Sequence, residues 1–135
     1  TFAPVDEKNI TEKKLFTEYF EITRKSADEQ NHAKASSIPI IPVGTTALRT
    51  IESAAKKNGV LPGSGATNLF IYPPYEFRIA DALITNFHVP KSSPILLVDA
   101  LLKYKKAKRG ILALYDIAIK EKFRFYSFGD GMLIL

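Results

Sequence analysis

The sharpest break in the chain lies at Thr85-Asn86-Phe87-His88, where the apolar run Ala82-Leu83-Ile84 stops and Ser93-Pro94 opens a helix a few residues later. Residues 80–94 therefore read as strand, short polar loop and helix. That order points to an α/β fold, in which ligands bind in the loops at the carboxyl ends of strands. A threonine, an asparagine, a histidine and Lys91 gathered in one such loop then carry chemical meaning. The plainer reading of the same residues is a solvated connection.

A second stretch has the same form. Ile38-Pro39-Ile40-Ile41-Pro42-Val43 reads as a buried strand whose two prolines place it at an edge, and Gly44-Thr45-Thr46 turns from it into a helix running to about Lys57. On that helix Leu48, Ile51 and Ala55 share one face, Arg49, Glu52 and Lys56 the other, and Asn58-Gly59 supplies a left-handed cap. The first turn offers unpaired N–H groups beside two hydroxyls, which suits a phosphate or a carboxylate. Gly-Thr-Thr also serves as a simple N-cap, and both readings stand.

The remaining elements follow from periodicity. Residues 6–14 read as a polar connector, and the alternation from Leu15 to Ile22 as a strand. Thr23 caps a helix from Arg24 to about Ala35 that has only alanines to bury, with His32 solvated on it. Residues 60–68 form a glycine-rich loop, Leu69–Tyr72 a short strand, Pro73-Pro74 a stiff turn, and Tyr75–Ile79 the next strand. The helix from Ser93 to about Lys103 is apolar nearly all round and so buried between layers. A further helix spans Ile111 to Lys122 with Ile111, Tyr115, Ala118 and Ile119 on one face, and an aromatic strand spans Phe123–Phe128. Gly129-Asp130-Gly131 turns sharply into a final strand, Met132–Leu135, and its carboxylate is placed to take a hydroxyl or an ammonium group.

Composition narrows the classes. The 135 residues, 46% hydrophobic and 24% charged, make one domain with a real core. No apolar run approaches the about 20 residues a membrane helix needs, and no basic-then-apolar leader opens the chain, so a cytoplasmic protein with no membrane partner is expected. The absence of cysteine removes disulfides and thiolate zinc sites, and two histidines leave little for a metal, so no metal site is expected. A net charge of +5 favours anionic partners, nucleic acid first. Lys103, Lys105, Lys106, Lys108 and Arg109 concentrate that charge after a helix, where they complement its dipole or contact a phosphate backbone. The chain opens on Thr1, with Phe2-Ala3-Pro4-Val5 resembling the tail of a strand, which suggests a fragment.

Residues 81–92, 43–53, 70–73 and 123–134 occur in the order and spacing of one family. The chain closely resembles the C-terminal part of the S-adenosylmethionine:tRNA ribosyltransferase-isomerases of queuosine biosynthesis, over nearly its whole length. The resemblance implies a single α/β domain over residues 1–135, with a mixed sheet flanked by helices, as a partial version of the family's α/β domain lacking its inserted β-barrel. It implies an enzyme that transfers the ribosyl group of S-adenosylmethionine to 7-aminomethyl-7-deazaguanine at a tRNA wobble position. Adenine and methionine leave, and epoxyqueuosine forms. S-adenosylmethionine is then a substrate, no cofactor is implied, and tRNA is the partner of a monomeric protein.

The donor must lose a proton beside its sulfonium, and His88 and Asp130 are the candidate bases. His88 is preferred because its ordinary pKa is about 6.5. Thr85, Asn86 and Asp130 can hold ribose hydroxyls, and Gly44, Thr45, Thr46 and Arg49 a carboxylate or phosphate. Tyr72, Phe87 and Phe128, with Gly129 beside the last, can stack on adenine or deazaguanine, although core packing is the common use of an aromatic. Lys91 and the 103–109 cluster are the nucleic-acid candidates. The chain departs from the family at Phe16, where a histidine is usual, at Pro39 and Pro42, in the aliphatic-poor 24–35 segment and in the basic 103–109 segment. Two other readings compete. One is an inactive tRNA- or nucleotide-binding module. The other is a generic nucleotide-binding domain, against which the lack of a G-x-G-x-x-G or G-K-[ST] motif counts.

Overall fold

A computed structural model describes residues 5–57 and 59–135 of the chain. The expected strand tail at residues 1–4 and the expected cap at Asn58 lie outside the described residues. The first element is a short helix, α1 (Glu7–Glu12), where a connector was expected. Asp6 and Asn9 explain it: each side chain accepts the other's backbone N–H, at 2.7 and 3.1 Å, closing a capping box. Strand β1 (Lys14–Ile22) and helix α2 (Arg24–Ala35, capped by Thr23) follow as expected. Only Ala27 of α2 is buried, and a polar link fixes the helix instead. The Asn31 amide donates to Val60 O at 2.9 Å and accepts from Val60 N at 2.8 Å, taking the place of a strand neighbour.

Helix α3 (Thr45–Ala54) ends before the expected Lys57, because β2 (Ala55–Lys56) turns back onto β3 (Gly59–Val60) as a small antiparallel hairpin. The glycine-rich segment is not a loop. It is β4 (Gly63–Leu69), antiparallel to β1, with Glu18 opposite Thr67 and Ile22 opposite Gly63. Arg49 and Glu52, expected on the face of α3 opposite Leu48 and Ile51, are both buried. Arg49 donates to Leu69 O at 3.1 Å and pairs with Glu18. Glu52 accepts the backbone N–H groups of Arg78, Ile79 and Ala80 and the Tyr75 hydroxyl. Those N–H groups are therefore spent on a carboxylate, and neither Leu69–Tyr72 nor Tyr75–Ile79 continues as a strand beyond Leu69.

Strand β5 (Leu83–Asn86) is the centre of the layer. On one edge it pairs antiparallel with β6 (Gly131–Ile134), in the register Leu83 with Ile134 and Asn86 with Gly131. Along its other edge the 38–44 segment runs parallel and extended, yet forms only one bridge, Val43 to Ile84. Ile84 N donates to Pro42 O at 3.0 Å, and Gly44 N donates to Ile84 O at 2.7 Å. Pro42 has no hydrogen to offer along that edge, so the ladder breaks where the expected strand would have continued. The fold is α/β, and among the described residues its strands form three small antiparallel pairs with that parallel contact rather than one continuous mixed sheet.

Helix α4 (Ser93–Tyr104) is buried as expected. Its Leu97, Val98 and Leu101 pack in one core with Leu48 of α3, Ile71 and Leu83 of β5. Each such side chain contributes about 1.5–3 kcal/mol by leaving water. Helix α5 (Ile111–Lys120) buries Ile111, Tyr115 and Ala118, while Ile119 turns out to solvent, one position beyond the face it was assigned to. Phe123–Phe128 is an irregular segment rather than a strand, and only Phe125 in it is half-buried against the core.

Candidate active site

The topology brings three loops to one end of β5. Val43 bridges Ile84, so Gly44 and the start of α3 lie at the carboxyl end of two parallel segments. Asn86 ends β5 there, and its partner Gly131 begins β6 there, with Asp130 immediately before it. A side chain at Gly131 would put its Cβ 2.8 Å from Thr85 O, so glycine is what lets β6 come this close. Gly44 has φ +92° and open space around its Cα, a conformation and an approach that suit glycine. It is the N-cap residue of α3, and neither Thr45 nor Thr46 caps through its hydroxyl. Thr45 is buried and Thr46 exposed.

The 123–130 loop is tied to the 86–88 loop by two bonds. The Asn86 Nδ2 donates to Tyr126 O at 2.7 Å, and Tyr126 N donates to Phe87 O at 2.9 Å. Tyr126 has φ 66°, which is strained for so bulky a residue and is held by those bonds. Asp130 is locked by Arg124, whose backbone N, Nε and Nη2 reach its carboxylate at 2.5, 3.1 and 2.8 Å. The guanidinium and backbone hydrogen bonds lower the Asp130 pKa to about 2, so the group is anionic at neutral pH. Arg124 and Tyr126 were not singled out from the sequence, and Tyr115 was placed only on the apolar face of its helix. The signal available was a cation six residues before Asp130 in an aromatic run.

His88 is turned into the protein. It is buried, its Nε2 is 2.9 Å from Thr85 Oγ1, and its backbone N–H donates to Tyr115 Oη at 2.8 Å. Burial lowers its pKa to about 4, so the ordinary value near 6.5, the reason for preferring it as a base, does not apply in this state. Burial likewise raises the pKa of Tyr115. Phe87 is buried in an aromatic cluster with Tyr115, Phe123 and Phe125, at centroid distances of 4.9–5.6 Å. Its ring packs the core, whereas Phe128 beside Gly129 is exposed. Tyr72 is half-buried against Phe70 at 4.8 Å. Arg49 is buried, donates to Leu69 O and pairs with Glu18, while its Nη2 has no hydrogen-bond partner among the described residues, and it lines a small cavity with Thr45 at the start of α3.

Lys103 pairs with Asp99 at 2.9 Å, which leaves Lys105, Lys106, Lys108 and Arg109 as the exposed core of the basic cluster. Lys105, Lys108 and Arg109 rim a groove of about 510 Å³ that runs along β6 from Gly131 to Leu135, and Lys105 also adjoins Asp81, Ala82 and Leu135, at the other end of β5 from Asn86. Lys91 is exposed in the loop before α4. Among the described residues no group of three or more His, Asp or Glu side chains is placed to hold a metal ion.

Comparison with known proteins decides the family. The family model described as "Queuosine biosynthesis protein" matches residues 1–134. The chain belongs to the queuosine biosynthesis protein family. Curated relatives named S-adenosylmethionine:tRNA ribosyltransferase-isomerase are 46% identical in Desulforamulus reducens and 48% identical in Desulfitobacterium hafniense, each over 100% of this chain. The chain spans 39% of the length of each of these queuosine-family relatives. A crystal structure of S-adenosylmethionine tRNA ribosyltransferase from Thermotoga maritima superposes with a TM-score of 0.77 at 38% identity, covering 87% of this chain and 40% of that one.

Proposed function

We propose that this chain forms part of the catalytic α/β domain of an enzyme that transfers and isomerises the ribosyl moiety of S-adenosylmethionine onto 7-aminomethyl-7-deazaguanine at the wobble position of a tRNA. Epoxyqueuosine, adenine and methionine are the products. The observation that carries this reading is the convergence of Gly44–Thr46, Thr85–His88 and Asp130–Gly131 at one end of β5, in a chain of this family. S-adenosylmethionine enters as substrate, with no further cofactor, and the enzyme works as a cytoplasmic monomer. Among the described residues no helix is long and apolar enough to cross a membrane.

In this reading the free N–H groups at the start of α3 receive the donor's carboxylate, and Asn86 and Asp130 bracket its ribose. Asp130 is held anionic by Arg124, which suits it to accept ribose hydroxyls and to sit near a sulfonium cation. His88 is uncharged at neutral pH and is the proposed proton acceptor; it and Thr85 Oγ1 are both buried in the state described, so this role requires the 85–88 loop to turn the imidazole toward the donor. Phe128, exposed beside Gly129, stacks on a base.

The test is adenine release from S-adenosylmethionine, with and without tRNA carrying the precursor base. Release that requires this tRNA supports the enzyme. A second reading, an inactive tRNA-binding module, is favoured by the exposed cluster at Lys105–Arg109 and predicts tRNA binding without adenine release. Neither activity would leave both readings without support.

A further inference from the structure

Tyr115 lies on the buried face of α5, where its hydroxyl needs a polar partner that a phenylalanine would not. It finds one on the 85–88 loop: Tyr115 Oη accepts the His88 backbone N–H at 2.8 Å, across 27 positions of sequence. The rest of that loop is tied elsewhere. Asn86 Nδ2 donates to Tyr126 O at 2.7 Å, and Phe87 O accepts from Tyr126 N at 2.9 Å. The contact of Thr85 Oγ1 with His88 Nε2, at 2.9 Å, lies within the loop and travels with it. Both Tyr126 ties therefore end on the irregular 123–130 loop, whereas the Tyr115 tie ends on a regular helix.

The Tyr115 ring is itself fixed. It meets Phe87 and Phe125 edge-on, at 5.6 and 5.5 Å, so its hydroxyl is presented from a packed aromatic cluster. A backbone N–H buried without an acceptor is costly, so the loop stays inward while this oxygen is present and gains by turning to water when it is removed. We propose that Tyr115 is a positioning residue of the candidate site, whose hydroxyl holds the 85–88 loop with the His88 imidazole turned inward and whose release lets that imidazole face the cleft. The use of the release rests on the reading of His88 as proton acceptor; the hold does not.

Tyr115→Phe keeps the ring and removes only the oxygen. The chain's two histidines supply an internal standard, since His32 is exposed on α2 and His88 is buried. Diethyl pyrocarbonate modification of each is followed by mass spectrometry, and the His88 imidazole is titrated by NMR. In Tyr115→Phe the rate at His88 relative to His32 should rise about fivefold or more, the effect of losing one buried hydrogen bond. Burial is what lowers the His88 pKa to about 4, so its titration midpoint should move up by about one pH unit or more. Phe125→Leu loosens the same ring cluster without touching the bond and should change both readings far less. Unchanged values in a Tyr115→Phe chain that unfolds cooperatively would overturn the proposal. So would an equal rise in Phe125→Leu, since ring packing rather than the hydroxyl would then hold the loop. Should Tyr115→Phe not fold, amide exchange in the wild type decides: protection of the His88 N–H by about tenfold or more supports the hold, and less overturns it. None of these readouts involves S-adenosylmethionine, so a failed hold is distinct from a failed proton acceptor, which is read from adenine release.

Discussion

Replacing Glu52 tests how the 70–82 segment is held. Its carboxylate is buried and accepts N–H from Ile79 at 2.9 Å and Ala80 at 3.0 Å, both in buried surroundings, and from Arg78 at 3.0 Å where water has partial access. Glu52→Ala removes the acceptor and leaves at least two buried N–H groups without partners, each costing about 1–3 kcal/mol. With the third bond and a small cavity, the loss should be about 3–6 kcal/mol, a large share of the roughly 5–15 kcal/mol that holds a domain. Glu52→Gln keeps one oxygen for the N–H groups and can donate to the Tyr75 hydroxyl, now 3.3 Å away. It forfeits only the charge assistance, about 2–3 kcal/mol in all. Urea unfolding followed by circular dichroism measures both, with the slope of the transition checked for constancy. The order wild type, Gln, Ala is expected. An Ala variant within about 1 kcal/mol of wild type would refute the claim that this carboxylate organises the segment.

Three further outcomes are expected. The folded pKa of His88 is about 4 against about 6.5 when unfolded, so the folded state binds fewer protons: its stabilisation is complete above pH 6.5 and fades as pH falls toward 4, by roughly 3 kcal/mol. Unfolding free energy measured from pH 7 to 4 should fall steeply in the wild type and more gently in His88→Gln. Gly131→Ala places a Cβ 2.8 Å from Thr85 O and should separate β6 from β5, losing about 1–3 kcal/mol and speeding amide exchange at Thr85 and Met132; unchanged exchange would contradict the close approach. If Lys105, Lys106 and Arg109 contact tRNA phosphates, neutralising each should lower the slope of log affinity against log salt by about 0.7–0.9; an unchanged slope assigns them to the helix terminus alone.

The sequence shows some elements directly, and others only once their partners are known. Helix α2 is legible because Thr23 and a run of good helix formers define it locally, and β1 because its apolar and polar residues alternate. Strand β4 is not, since Gly63 and Gly65 look like loop residues until β1 lies beside them. Arg49 and Glu52 fall on the polar face of α3 by periodicity, and periodicity cannot distinguish water from a buried partner 26 residues away. The same limit applies to Tyr75–Ile79, whose backbone donors are taken by Glu52 rather than by a strand. At the candidate site, the grouping of Gly44, Asn86 and Asp130 could be expected from loops at strand ends. The inward turn of His88 could not, because it depends on Thr85 and Tyr115 meeting it from two sides.

The most direct test of the central claim is a titration of the isotope-labelled chain with S-adenosylmethionine, followed by backbone amide NMR. The account predicts shift changes gathered at residues 44–46, 85–88 and 129–131, with a common dissociation constant for all three segments. Saturable shifts confined to other parts of the chain, while these three stay still, would contradict it.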